Sequence, residues 1–178
     1  MIVSTSAGSS AVGTADQFTY QASAPPPSNL MPNPGFETAG LPADAWGSTL
    51  ARSAAVVHSG AWALAQTTSS SSGGWALDLN PSWYAPVSSS KTYTAGIWVR
   101  ASATVRVDLN LDLLNASGTY IDSVSGSWVT LAANTWTHIT VTGIKVAPGE
   151  TSGAIEADFS RAIKGTVIYW DDMSLTAP

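Results

Sequence analysis

A chain of 178 residues without cysteine has room for one β domain and a short appendage, and neither a disulfide framework nor a thiol site is open to it. Charged residues make up only 11%, and the net charge of −5 argues against nucleic acid and anionic membranes as partners. No apolar run approaches the roughly 20 residues of a membrane helix, and no basic-then-apolar leader follows Met1. Met1-Ile2-Val3 is expected to mark a cut inside a larger protein. Eight Trp among many Ser, Thr, Ala and Gly is a composition of secreted bacterial β modules, so an extracellular location is expected.

Residues 1–20, MIVSTSAGSSAVGTADQFTY, offer two short strand-like pieces around Gly and Ser. The closing ADQFTY resembles the last strand of immunoglobulin-like IPT/TIG domains, and VSTSAGSSA resembles their penultimate strand. Two strands cannot bury a core alone. The piece is expected to be a remnant of a preceding domain or a strand docked on the main body. Gln21–Ser28, QASAPPPS, reads as a polyproline spacer, which leaves residues 29–178 as the main domain.

Asn29–Gly40, NLMPNPGFETAG, opens that domain, with Leu30 and Phe36 as core anchors, a turn at Asn33-Pro34-Gly35, and Glu37 after the aromatic. Trp46 follows a turn-rich segment. Val56–Gly60 reads as strand and turn, Ala61–Gln66 as a short strand, and Thr67–Gly74 as a loop. Trp75, Leu77 and Leu79 alternate in a strand, and Trp83-Tyr84 follows in a loop or strand edge.

Two long strands joined at Ser102-Ala103 come next. Tyr93, Ala95, Ile97 and Val99 alternate with Thr94, Gly96, Trp98 and Arg100. Val105, Val107, Leu109, Leu111 and Leu113 alternate with Arg106, Asp108, Asn110 and Asp112. Strict alternation signals one buried and one wet face. If the two strands pair, the wet face carries Trp98, Arg100, Arg106, Asp108, Asn110 and Asp112. A Trp beside fixed-geometry polar groups suits a neutral polyhydroxylated ligand such as a sugar. The same residues equally make a solvated face whose Arg and Asp pair with each other.

Beyond a hairpin turn at Asn115–Gly118, weaker strands follow at Tyr120–Trp128 and Val129–Ala133, and another holds Trp136, His138, Ile139 and Val141. Ala154–Phe159 alternates, with Ile155, Ala157 and Phe159 in and Glu156 and Asp158 out. TVIYWDDMSL closes the chain. No stretch shows sustained helical periodicity. Roughly nine to eleven short strands imply an all-β sandwich, whose first and last strands should meet.

Five motifs occur in order: NLMPNPGFETAG with Trp46, HSGAWALA, KTYTAGIWVRAS, NTWTHITVT and IYWDDMSL. Together they resemble the carbohydrate-binding modules of the family 4, 9 and 22 kind over residues 29–176. The resemblance implies a jelly-roll sandwich of two antiparallel sheets with galactose-binding-domain-like topology. It implies a structural calcium held by Glu37, by Asp171 or Asp172, and by carbonyls of Ser59 and Gly60. It implies glycan in a groove on the concave sheet, with candidates Trp98, Arg100, Arg106, Asp108, Asn110, Asp112, Glu156 and Asp158. Loop aromatics Trp75, Trp83, Tyr84 and Tyr120 would wall that groove, with Trp83-Tyr84 the leading pair. Trp46, Trp62, Trp136 and Trp170 sit in motif positions and are expected in the core or at its edge.

Catalytic motifs are sparse. His58 and His138 show no zinc spacing, and GxSxG and phosphate-binding loops are absent. Asp108 and Asp112 lie about 13–14 Å apart along one strand face, too far for a glycosidase pair, whereas Asp108 with Glu156 remains conceivable. The expected function is a non-catalytic, monomeric module that docks a larger secreted or surface protein onto polysaccharide. The alternative is an adhesion module of a surface array or phage tail with no sugar bound.

Overall fold

Each alternating strand buries one face, and two sheets of such strands bury theirs against each other. The computed structural model describes residues 4–5, 8–9, 27–41, 44–71, 73–78 and 81–178. Apart from residues 27 and 28 of the spacer and two short strands, the IPT/TIG-like piece and the spacer lie outside them; within that piece β1 (Ser4–Thr5) and β2 (Gly8–Ser9) pair antiparallel. The main body comprises β3 (Asp44–Trp46), β4 (Ser48–Ser53), β5 (Ala63–Thr68), β6 (Gly73–Asp78), β7 (Ala85–Pro86), β8 (Thr92–Ala101) and β9 (Val105–Leu114). It continues with β10 (Tyr120–Ser125), β11 (Val129–Leu131), β12 (Thr137–Lys145), β13 (Ser152–Ser160) and β14 (Val167–Thr176). Among the described residues, a 3-10 turn at Pro81–Trp83 is the only helical piece.

The five-stranded sheet runs β12-β8-β14-β5-β4, and the seven-stranded sheet runs β10-β9-β13-β6-β3, with β11 also on β9 and β7 on β13. Tyr93, Ala95, Ile97, Val99 and Ala101 of β8 and Val105, Val107, Leu109, Leu111 and Leu113 of β9 join one buried cluster. The alternation therefore assigns their faces correctly, but the expected pairing of the two strands does not occur. β8 bonds to β12 and β14, and β9 to β10, β11 and β13. Residues 102–104 carry the chain from one sheet to the other. Alternation tells which side of a strand is apolar, not which strand lies beside it. Placing the two strands in opposite sheets lets each apolar face cover the other.

The opening segment meets the last strand without being a strand itself. Leu30 N donates to Leu175 O at 2.8 Å, Leu175 N to Asn29 Oδ1 at 3.0 Å, and Met173 N to Pro34 O at 2.9 Å. Phe36 and Trp170 are fully buried, and Trp170 Nε1 donates to Gln66 Oε1 at 2.9 Å. Trp62 is half-buried beneath the Arg52 guanidinium, 4.0 Å from the ring centroid. Trp136 is half-buried with its edge on His58. Trp46 departs from expectation: it is 59% exposed, because its three-residue strand sits at the edge of the seven-stranded sheet. Val56–Gly60 forms bends rather than a strand.

Candidate functional site

β9 and β13 lie side by side in the seven-stranded sheet, and their register sets Asp108 opposite Asp158 and Asn110 opposite Glu156. Trp75 of β6 lies opposite Asp158, and Trp46 of β3 opposite Trp75. Cross-strand partners share a face. One row across the sheet therefore reads Trp46, Trp75, Asp158, Asp108, about 14 Å from end to end by strand spacing. On the other flank Ser125 lies opposite Asn110, Ser123 opposite Asp112 and Tyr120 opposite Leu114. Arg106 stands two residues before Asp108, its guanidinium 5.4 Å from the centroid of Trp128. Trp46, Tyr120 and Trp128, at 59%, 52% and 41% exposure, rim the same sheet.

The floor between these rings is polar and shielded. Asp108, Asn110 and Asp112 are each only 5% exposed. Asn110 Nδ2 donates to Asp158 Oδ2 at 3.0 Å, while Asn110 Oδ1 is buried with no hydrogen-bond partner. Asp108 Oδ1 accepts from Leu109 N at 2.8 Å. Burial pushes the carboxyls of Asp108, Asp112 and Asp158 above the ordinary aspartate value. The charge of Asp158 adds to the effect on Asp112, and that of Asp108 to the effect on Asp158. The Tyr120 hydroxyl is also raised, first by desolvation and then by the charges of Asp112, Asp122 and Glu156.

Arg106, Asp108, Asn110, Asp112, Glu156, Asp158, Trp75 and Tyr120 thus share one sheet face. Tyr84 lies at the Tyr120 end, where a Cβ on Gly118 would stand 3.7 Å from its ring. Trp83, its neighbour, turns the other way and packs on Phe36 with ring centroids 5.8 Å apart. Trp98 and Arg100 are elsewhere, on the outer face of the five-stranded sheet. Trp98 is stacked between His58 at 4.0 Å and His138 at 4.9 Å, so neither ring face is open to a ligand. Arg100 bonds Asn134. Both residues left the groove when β8 joined the other sheet. Sequence reasoning missed Trp46, Trp128, Ser123 and Ser125. The Ser123-Val124-Ser125 alternation was a usable signal; a three-residue strand around Trp46 offers none.

A second polar cluster gathers the residues nominated for a metal. Glu37 Oε1 accepts from Ala61 N at 2.8 Å and Trp62 N at 3.2 Å. Asp171 Oδ2 accepts from His58 N at 2.7 Å and Ser59 N at 3.2 Å. Asp172 takes the Ser59 hydroxyl at 2.7 Å and the His58 imidazole at 2.6 Å. A bulge between Asp171 and Ser174, with Asp172 at φ 48°, turns both successive carboxylates to the same loop. Ser59 meets the acids through its amide and hydroxyl, and Gly60 lies against the Glu37 carboxylate. Among the described residues no three acid, histidine or cysteine side chains form a ready metal cage. The donors are nevertheless of the hard oxygen type that calcium takes. A Cβ on Gly35 would lie 3.6 Å from Asp171 Oδ1, Asp172 Oδ1 and Glu37 Cγ alike, which marks a small acid-lined hollow.

No protein-family model and no curated protein sequence matches the chain. Solved structures do. A family 61 carbohydrate-binding module in complex with β-1,4-galactotriose superposes with a TM-score of 0.60 at 19% identity, covering 85% of this chain and 99% of that one. The CBM22-1 xylan-binding domain from Paenibacillus barcinonensis Xyn10C gives 0.56 at 12% identity over 87% and 97%. Tailspike protein 4 of bacteriophage CBA120 gives 0.57 at 16% identity, over 84% of this chain but 21% of its own enzymatically active domain. The chain therefore has the jelly-roll β-sandwich fold that these carbohydrate-binding modules share.

Proposed function

We propose that the chain is a non-catalytic glycan-binding module of a larger extracellular protein, holding polysaccharide across the polar face of its seven-stranded sheet. The row Trp46, Trp75, Asp158, Asp108 carries this reading. Sugar C–H faces dock on aromatic rings, and shielded carboxylates and amides accept hydroxyl donors. Likeness to modules described as xylan-binding and galactotriose-bound supports a polysaccharide ligand. Asp108 and Asp158 both turn onto amide donors, from Leu109 and Asn110, which favours binding over catalysis. Affinity electrophoresis against xylan, galactan, β-glucan, chitin and its deacetylated form tests the reading. At least one should retard the chain, and Trp46→Ala and Trp75→Ala should abolish retardation while the fold still melts cooperatively. A folded chain that none retards would remove the reading. That outcome is what an adhesion module would give, a second reading supported by the tailspike likeness.

The cluster of Glu37, Asp171 and Asp172 is proposed as a calcium site. Those three side chains would hold the ion, which would cross-link the opening segment to the last strand. Support comes from charge: the Asp171 and Asp172 carboxylates and the Glu37 side chain all come near Gly35, and the His58 imidazole faces Asp172.

A further inference from the structure

We propose that the groove selects glycans bearing free amino groups, such as glucosamine polymers, over neutral and acidic ones. The inference rests on the glycan reading above and adds the chemical class of the sugar. Asp108 and Asp112 on β9 and Asp158 on β13 face one groove, with the Arg106 guanidinium at one end of β9. That guanidinium lies over Trp128, and the ion pair of His58 with Asp172 belongs to the other sheet. Burial first, and then the charge of Asp158 on Asp112 and of Asp108 on Asp158, disfavours the charged forms of Asp112 and Asp158. A neutral sugar that displaced water here would leave this charge uncompensated. A second, independent observation concerns Asn110. It lies between Asp108 and Asp112 on the same face, its amide taken by Asp158 and its buried Oδ1 without a donor. Three carboxylates and this amide oxygen thus set acceptors along the centre of the groove. An ammonium brings three donors and no acceptor, and its bonds to carboxylates are charge-assisted. A uronic acid brings charge of the wrong sign. Trp46 and Trp75 supply the flat surface for the ring beside this floor.

Calorimetric titration of the full chain decides it, with a glucosamine oligomer, its fully N-acetylated counterpart, a xylo-oligosaccharide and a galacturonic acid oligomer as ligands. The amino oligomer should bind about tenfold or more tighter than its acetylated counterpart, with added salt narrowing the gap. Asp112→Asn and Asp158→Asn should each lower the ratio of amino to neutral affinity, and Trp46→Ala should remove binding of the amino oligomer. If the acetylated or xylan oligomer binds as well as or better than the amino one, the amino preference falls and the glycan reading stands. If Trp46→Ala still binds the amino oligomer, the attraction is diffuse and the proposal is overturned. If a folded chain binds none of the four, both readings fall.

Discussion

Asp112 shows what a shielded carboxylate does to the fold that holds it. It is 5% exposed, receives the Ser123 hydroxyl and feels the charge of Asp158. Its folded-state pKa is raised, so the folded chain binds that proton more tightly than the unfolded one. Any stability from this proton is complete below the ordinary aspartate value and lost as pH rises through the raised one. At neutral pH the charged form opposes folding. Asp112→Asn, which keeps the acceptor for Ser123, should therefore raise the melting temperature at neutral pH by a few degrees. The gain should shrink as the melts are taken toward pH ~4, and a gain independent of pH would show that charge is not its cause. Trp98 makes the opposite case. Trp98→Ala removes two stacking contacts and should cost roughly 1–3 kcal/mol in denaturant unfolding, with glycan retardation unchanged. The sequence marked Trp98 and Asp112 by the same alternation. It read the wet side of each strand correctly, but the sheet each strand belongs to depends on long-range pairing that alternation does not encode.

The clasp between the 58–62 loop and β14 was legible as an element because its acids lie in recognisable motifs at opposite ends of the domain. Its bonding was not legible, because a bulge and a left-handed Asp172 decide where the carboxylates point. Gly60 sits at φ 64°, and a Cβ there would overlap Glu37 Oε1. Gly60→Ala should lose about 1–3 kcal/mol of stability in urea unfolding. A chelator should lower the melting temperature, and added calcium should restore it. An indifferent melt would remove the calcium proposal and leave the hydrogen-bonded clasp. Asp171 is held by three backbone amides, from His58, Ser59 and Asp172. Asp171→Ala leaves those donors unpaired and should be more damaging than Asp172→Ala.

At the scale of the whole molecule, the count of short strands and the turn chemistry between them was enough to give a two-sheet sandwich. The core followed from alternation in β8, β9 and β13, whose inward residues all join one cluster. Of the exposed rim only Tyr120 was anticipated. Trp46 and Trp128 are large apolar rings that composition alone sends inward, and only the sheet edge and connection that carry them keep them outside. The meeting of the opening segment with β14 has a mechanical consequence. Asn29 lies beside Leu175, and Pro34 beside Met173 further in, so the two run antiparallel and their outer ends leave the body together. Tension between flanking tethers would open these few bonds one after another, like a zip, before the opening segment pulled on the seven-stranded sheet.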